Sequence, residues 1–376
     1  MERYSEIRKR GFGLVEIIVG LAMGMVSMLV IMQVFSVFEG GKRTVTGGAD
    51  AQSNGTIALY MIERDTRMAG WGMGTSGYAG CSSTYAYCDG SAVCGGSTGA
   101  LNLSFAPLKI VDGGDRPDSI SVQYFSDPTL GTFRIPTTTT LRSTMPQSSS
   151  ELNVQNVSGC NVGGMVLVSQ AGRCTLMKIT AVQGPALKIQ HNPGSHGEFN
   201  PPANFQNANN WPAYSTGATL ACFEPASNAG TFQRGYSVDY ASRQLRRTDN
   251  SSNAPASGEE VIAPEIVDLQ AQYGIAPAND QAVNEWVDAK GATWTTPTLD
   301  NWKRIKAIRI ALVARSTQYE KPDAGTACTT TTSDTVTTWS TWATFDASKY
   351  SNDWQCYRYK VFETVVPLRN VMWGNL

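Results

Sequence analysis

The first apolar stretch of the chain is long and carries one carboxylate. Residues 1–11 read MERYSEIRKRG, and a mostly apolar run of 27 residues follows, from Phe12 to Phe38. As a helix this run would be about 40 Å long, more than the hydrocarbon core of a bilayer. Because basic residues before such a helix stay on the cytoplasmic side, the pattern predicts that the rest of the chain lies across the membrane.

Glu16 separates this run from simpler N-terminal segments. A secretory signal peptide has a shorter apolar core, followed closely by a small-residue cleavage site. A plain signal anchor does not explain an ionisable group near its start. A carboxylate in hydrocarbon costs a few kcal/mol unless it is paired, so the pattern favours a functional role for Glu16.

Helical periodicity returns after a glycine-rich stretch. Four glycines within residues 39–48 weaken the helix or mark a bend. From residue 50 to residue 69 a stripe recurs at helical spacing, and its members are Ile57, Met61, Arg64 and Met68. Asp65 falls among the polar residues elsewhere on this helix. We therefore predict a transmembrane and assembly helix over residues 12–38 and an amphipathic second half of the stem over residues 39–70.

The remainder of the chain has the pattern of short strands separated by turns. A Cys- and Gly-rich loop is expected over residues 71–99, and Asn- and Ser-rich stretches at 192–210 and 249–257 are typical of surface loops. Period-two alternation and strand composition predict strands at 101–111, 119–125, 165–170, 174–182, 186–191, 218–224, 235–241, 306–316 and 357–370. The predicted fold is α+β, with the long N-terminal helix packed on an antiparallel sheet and an enlarged β-rich head over residues 71–376.

Composition supports an extracytoplasmic head. Charged residues are 16% of the chain, below the roughly 25% of an average soluble domain. The formal net charge is −1, so no overall basic field points to nucleic acid, and we do not expect it as a partner. The compact basic clusters, Arg246–Arg247 and residues 302–309, are expected at strand ends or partner contacts.

All eight cysteines follow the apolar run, which favours disulfides in an oxidising compartment. They are Cys81, Cys88, Cys94, Cys160, Cys174, Cys222, Cys328 and Cys356. The alternative is a zinc site, but no CxxC pair with the usual tight ligand spacing is present. The sequence leaves the pairing open. The pairing we expect is Cys160–Cys174, Cys328–Cys356, one local bond in the first cluster, and Cys222 with the remaining member of that cluster.

Motifs for catalysis are absent from the sequence, and we do not expect an enzyme. There is no GxSxG, P-loop or HExxH pattern. His191, His196 and Glu198 could ligate a metal, but the Gly, Pro and Asn residues around them favour a loop.

We also predict no cofactor, with calcium as the alternative. Asp112, Asp115 and Asp118 could bind this ion. Their spacing is not that of an EF-hand loop, and a turn between strands explains them more simply.

The N-terminal residues resemble the type IV prepilin cleavage motif. The matching segment is Arg8-Lys9-Arg10-Gly11 followed by Phe12-Gly13-Leu14-Val15-Glu16. The resemblance implies that residues 1–11 are a leader, that a prepilin peptidase cuts after Gly11, and that Phe12 is then N-methylated. It further implies that Glu16 pairs with the new N-terminus of a neighbouring subunit. Major pilins usually carry a helix-breaking proline farther along the helix, where this chain has Gln33.

Blocks in the head resemble the PilW family of type IV pilus minor pilins. They are RPDSISVQY, CTLMKIT, YSVDYASRQLRR, EIVDLQAQYGI, IKAIRIALVARS and VFETVVPLRN. This resemblance implies a structural protein of a tip complex that primes pilus assembly. The implied partners are other minor pilins, the major pilin and a PilY-type tip adhesin. The implied location is the inner membrane with a periplasmic head before assembly, and the pilus tip afterwards.

Two alternatives stay open at this point. The J pseudopilin of type II secretion has a similar organisation, and the same physical arguments apply to it. A signal-anchored periplasmic enzyme or binding domain would instead keep an uncleaved leader and work independently of Glu16.

Overall fold

The longest element of the structure is one unbroken helix at the N-terminus. The computed structural model describes residues 13–72, 81, 83–91, 97–101, 106–124, 137–145, 151–192, 198–223, 232–249, 258–277, 279–320, 322, 326–337 and 342–373. Helix α1 (Leu14–Arg67) has 54 residues, a length of about 80 Å. It continues through all four glycines of the 39–48 stretch, so these glycines do not end it.

Two antiparallel sheets form the part of the head that contacts α1. The five-stranded sheet has the order β14-β13-β12-β4-β3. Its strands are β3 (Leu108–Val111), β4 (Ser119–Tyr124), β12 (Phe232–Asp239), β13 (Gln244–Asp249) and β14 (Glu259–Pro264). The four-stranded sheet has the order β16-β15-β17-β20. Its strands are β15 (Ile266–Ile275), β16 (Glu285–Val287), β17 (Ile305–Arg315) and β20 (Tyr359–Pro367).

One hydrophobic core joins the helix to both of these sheets. It includes Ile62 from α1, Tyr124 and Tyr236 from the five-stranded sheet, and Leu269 and Leu312 from the four-stranded sheet, all nearly or fully buried. Alternation along β15 and β17 sends every second side chain toward this core. The opposite face of the four-stranded sheet is partly covered by the hairpin of β18 (Thr335–Thr337) and β19 (Thr344–Asp346), and it packs on Phe345.

A second β-rich part of the head combines β1 and β2, which precede β3 in the sequence, with the strands that lie between β4 and β12. Its six-stranded sheet has the order β2-β1-β8-β7-β11-β5, and a three-stranded sheet has the order β6-β10-β9. The strands are β1 (Ser83–Asp89), β2 (Thr98–Leu101), β5 (Thr137–Thr140), β6 (Glu151–Asn153), β7 (Met165–Gln170), β8 (Arg173–Lys178), β9 (Ala181–Gln183), β10 (Lys188–Gln190) and β11 (Thr219–Phe223). We call residues 137–223 the insert, because Tyr124 and Phe232 on either side of it are paired in register.

Short helices complete the described structure. They are α2 (Ala203–Ala208), α3 (Gly291–Trp294), α4 (Leu299–Trp302) and α5 (Arg369–Trp373), with two 3-10 turns at Ala347–Lys349 and Trp354–Cys356.

The predicted α+β fold class is confirmed, with differences in detail. The strand predicted at 165–170 is β7, and that at 306–316 is β17 shifted by one residue. The predicted loop at 71–99 contains β1 and the start of β2, and the predicted strand at 101–111 is divided between β2 and β3. The predicted surface loop at 192–210 contains α2 and the buried Asn200.

Candidate assembly site on the stem helix

Glu16 lies in the first turn of α1. Its Oε2 accepts a hydrogen bond from the backbone N–H of Gly13, the residue before the helix, at 2.9 Å. A carboxylate at this position satisfies an otherwise unpaired amide and is favoured by the helix dipole. In the single subunit Glu16 therefore has a local partner, which pairing with a neighbour would have to share or replace. Gly11 and Phe12 lie outside the described residues.

The first half of α1 contacts nothing else in the subunit. Every residue from Gly13 to Phe38 is exposed, including Phe35 at 70% and Phe38 at 76%. The most apolar window of the helix has a mean hydropathy of 2.5, and none of that window is buried. This is the one helix of the described structure that is long and apolar enough to cross a membrane.

The second half of α1 is seated on the head through a stripe of mostly small residues. The buried positions recur every three or four residues, or lie next to one that does, and they are Gly47, Ala51, Gly55, Ala58, Ile62, Asp65 and Thr66. This differs in part from the predicted stripe. Met61 and Met68 pack partly buried against the core, but Ile57 is 48% exposed and the buried face is centred on Ala58 and Ile62. Small residues allow the helix axis to approach the sheet closely.

Gly55 is the point of closest approach. A Cβ placed on it would lie 2.5 Å from Cζ of Phe362 and closer still to two other atoms of that ring. Phe362 is on β20 and packs against the shared core. A side chain at position 55 thus requires the ring or the helix to move.

A buried ion pair fixes the end of the stem. Asp65, with 3% of its side chain exposed, pairs with Arg234 Nη1 at 3.3 Å. Arg234 also binds Asp249 through Nε at 2.9 Å, and the Tyr236 hydroxyl donates to Asp65 Oδ2. Burial and the neighbouring Asp65 raise the pKa of Tyr236, so it stays a hydrogen-bond donor.

This cluster corrects the sequence analysis, which assigned Asp65 to the polar side of the stem. The spacing of Asp65 from the buried residues of the helix could have indicated that its side chain is buried. Asp65 follows Ala58 and Ile62 by seven and three residues, so it belongs to the buried stripe. A charged residue in such a stripe needs a buried partner of opposite charge.

The disulfides confirm one predicted pairing and correct two. Cys328–Cys356 is present as predicted. Cys160 pairs with Cys222, and Cys174 pairs with Cys81. The predicted Cys160–Cys174 bond is wrong because the two residues belong to hydrophobic clusters on opposite faces of the six-stranded sheet.

Cys88 is disulfide-bonded as well. The predicted local bond in the first cluster depends on Cys94, which lies outside the described residues.

The three aspartates weighed for calcium are arranged as a turn between β3 and β4. Asp118 is buried and accepts hydrogen bonds from the amides of Gly113 and Ala271, each at 2.8 Å. Asp112 accepts from the Gly114 amide and pairs with Lys290 at 3.0 Å. Within the described residues no group of three or more His, Cys, Asp or Glu side chains could hold a metal ion.

The histidine segment is likewise engaged in the fold. Glu198 pairs with Lys178 at 3.0 Å. Burial lowers the pKa of His191 to about 4, so its ring is neutral at physiological pH. His196 lies outside the described residues.

The arginines of the basic cluster at Arg246–Arg247 form ion pairs within the head. Arg246 pairs with Asp239 and Glu259, and Arg247 pairs with Glu260. These cross-strand pairs neutralise the cluster at Arg246–Arg247, which reduces its attraction for a polyanion.

A long stem helix, apolar and bare in its first half and seated on antiparallel sheets in its second, defines a pilin-like protein. Residues 232–370 match the family model PilW, Type IV Pilus-assembly protein W. The PilW resemblance is therefore confirmed in the C-terminal region, and it supports a role connected with the type IV pilus. No curated protein and no solved structure matches the chain.

The matched region covers most of the part of the head that contacts the stem helix. It starts at the first residue of β12, where the chain returns from the insert, and ends within α5. It supplies β12 to β20, and so most of the surface on which α1 is seated. The family match and the apolar helix together support membrane anchoring.

Proposed function

We propose that the protein is a minor pilin that joins a tip complex and primes assembly of the type IV pilus. The observation that carries the proposal is the division of α1. Its apolar half with Glu16 is left bare, while its second half is locked to a head that contains the PilW-like region. A bare apolar surface of this length needs lipid or other helices to cover it.

Processing would create the charge that Glu16 requires. Cleavage after Gly11 by a prepilin peptidase leaves an ammonium group on Phe12, close to or within the membrane. Opposite charges attract far more strongly in low dielectric than in water, and each alone is penalised there. Glu16 of one subunit and Phe12 of the next therefore favour one axial register between neighbouring helices.

The shape of the head suits a tip position. The insert and its disulfides add bulk to the seated sheets, and the head would lie in the periplasm before assembly and at the cell surface afterwards. The proposed partners are other minor pilins and the major pilin, joined first through helix α1, and a PilY-type adhesin displayed by the tip complex.

The experiment is substitution of Glu16→Ala in cells that express the other pilus components. We expect membrane insertion and head folding to be unchanged. The variant should no longer co-purify with partner pilins, and the cells should lose their surface pili. Glu39→Ala is the matched control, because Glu39 lies on the same helix with 45% of its side chain exposed, and its one ion pair within the described residues is with Arg43, at 3.4 Å. Normal co-assembly of the Glu16→Ala protein would refute the proposed role.

Mass spectrometry of the mature N-terminus tests the processing step. An N-methylated Phe12 is expected in cells with active prepilin peptidase, and intact Met1 would favour a signal-anchored protein of another class. Assembly into a secretion pseudopilus with no effect on pili would support the J pseudopilin instead.

A further inference from the structure

A polar cleft lies on the face of the four-stranded sheet that points away from the stem. Its volume is about 440 Å³, within the roughly 300–1,000 Å³ of small-molecule sites. Gln270 and Gln272 of β15 line it, together with the turn after β3 and the segment from β19 to Tyr350. None of these residues belongs to the stem or to its seat, so this inference is independent of the proposed function.

One wall of the cleft is held rigid by stacked side chains. The guanidinium of Arg309 lies 4.5 Å from the ring centroid of Trp342 and 4.9 Å from that of Trp286. Arg309 Nε donates to Gln272 Oε1 at 2.7 Å, and Gln272 Nε2 donates to Asp288. Such a network fixes an aromatic ring and a planar amide side by side before any ligand arrives.

Other polar groups at the cleft are not used by the fold. Asp115 is exposed, and its carboxylate makes no hydrogen bond or ion pair with the part of the chain that the structure describes. The ammonium group of Lys349 forms no ion pair within the same residues. Donors and acceptors are therefore both available at the cleft, next to the ring of Trp342; the ring of Tyr350, which also lines the cleft, packs against Tyr240 and Phe345.

We propose that this cleft binds a neutral or amino saccharide. Sugar rings have an apolar face that packs on aromatic rings, and their hydroxyl groups both donate and accept hydrogen bonds with amides, carboxylates and ammonium groups. The polar lining argues against an apolar ligand. Four aspartates and two lysines line the cleft, and this excess of carboxylates disfavours sialylated or phosphorylated ligands.

The test is binding of defined trisaccharides to the full-length protein in a detergent without a sugar headgroup. The probes are chitotriose and cellotriose as neutral ligands, the deacetylated chitosan trimer as a cationic ligand, and sialyllactose as an acidic one. Saturation-transfer NMR identifies binding, and calorimetry measures affinity. We expect a neutral or cationic trisaccharide to bind and sialyllactose to bind more weakly or not at all.

Cleft variants decide whether the binding is at this site. Trp342→Ala should weaken it by about three- to tenfold, as expected for loss of an aromatic contact. Because this change alters packing, Asp115→Ala is the second variant; it removes an exposed, unpaired group and should weaken binding by about two- to tenfold. Asp300→Asn, an exposed change outside the cleft, should have no effect.

Three results would overturn the proposal. They are no binding of any probe at millimolar concentration, preference for sialyllactose, and binding that neither cleft variant alters.

Discussion

Replacing Gly55 by alanine tests whether the stem helix is seated as closely as the structure shows. In a helix, alanine is favoured over glycine by about 1 kcal/mol. At Gly55 the new methyl group would overlap the ring of Phe362, and overpacking of this kind costs about 1–3 kcal/mol. The expected net result is a loss of up to about 2 kcal/mol in the free energy of unfolding.

The assay is urea unfolding of the full-length protein in detergent, followed by tryptophan fluorescence of the head. The matched control is Gly48→Ala on the same helix, where a Cβ would meet nothing within 4 Å. This control should stabilise the protein, by up to about 1 kcal/mol. The two substitutions are chemically identical, so the difference between their effects on stability isolates the contact with Phe362.

A second variant identifies the contact directly. Phe362→Leu removes the ring, and in that background Gly55→Ala should cost less than in the wild type. If Gly55→Ala stabilises the protein as much as Gly48→Ala does, the close approach of helix and strand is refuted.

Three further predictions concern the head. Asp65→Ala leaves the buried Arg234 with one carboxylate instead of two and should cost about 3 kcal/mol in urea unfolding. Burial raises the pKa of Asp118 to about 7 from 3.8, so stability should fall by about 2–3 kcal/mol between pH 5 and pH 8, and Asp118→Asn should flatten this profile. Replacing Cys328 and Cys356 together by serine opens a loop with a sequence separation of 28 and should cost about 3.5 kcal/mol on loop entropy.

Each of these has a result that would contradict it. For Asp65 it is an unfolding midpoint equal to that of the wild type. The sign for Asp118 follows because the folded state holds its proton to higher pH than the unfolded chain, so a stability that rises from pH 5 to pH 8 would exclude the assignment. For the cysteine pair it is a midpoint equal to that of the wild type under oxidising conditions, in which the wild-type bond is intact.

Strands were predicted well where β-branched and other apolar residues dominate the segment. Residues 165–170 and 306–316 are rich in β-branched and apolar residues, and both form strands within one residue of the predicted bounds. The packing of the stem on a sheet was predicted, but the residues that form this contact were not, because four of the seven buried positions are Gly or Ala. These residues add little to a hydrophobic pattern, although their small size is what allows the close packing.

The disulfides and the ion pair depended on topology that the sequence does not display. Cys160 and Cys174 are close in sequence, but they lie on opposite faces of one sheet, so each pairs with a distant residue. Asp65 and Arg234 are separated by 169 positions, and nothing local marks them as partners. Prediction of such contacts requires knowing which strands adjoin the helix.

The register between β4 and β12 has a consequence for how the head can change. Tyr124 and Phe232 are paired across the two hydrogen-bonded strands β4 and β12. The chain therefore leaves the five-stranded sheet and re-enters it at nearly the same point. Any folded segment whose ends are that close could replace the insert without shifting a strand of the five-stranded sheet, although β1 would lose its partner β8. Even doubling the length of a flexible connection there would cost only about 0.6 kcal/mol in closure entropy. The insert is therefore separable from the five-stranded sheet, and its remaining ties to the rest of the head are the pairing of β8 with β1 and the Cys81–Cys174 bond.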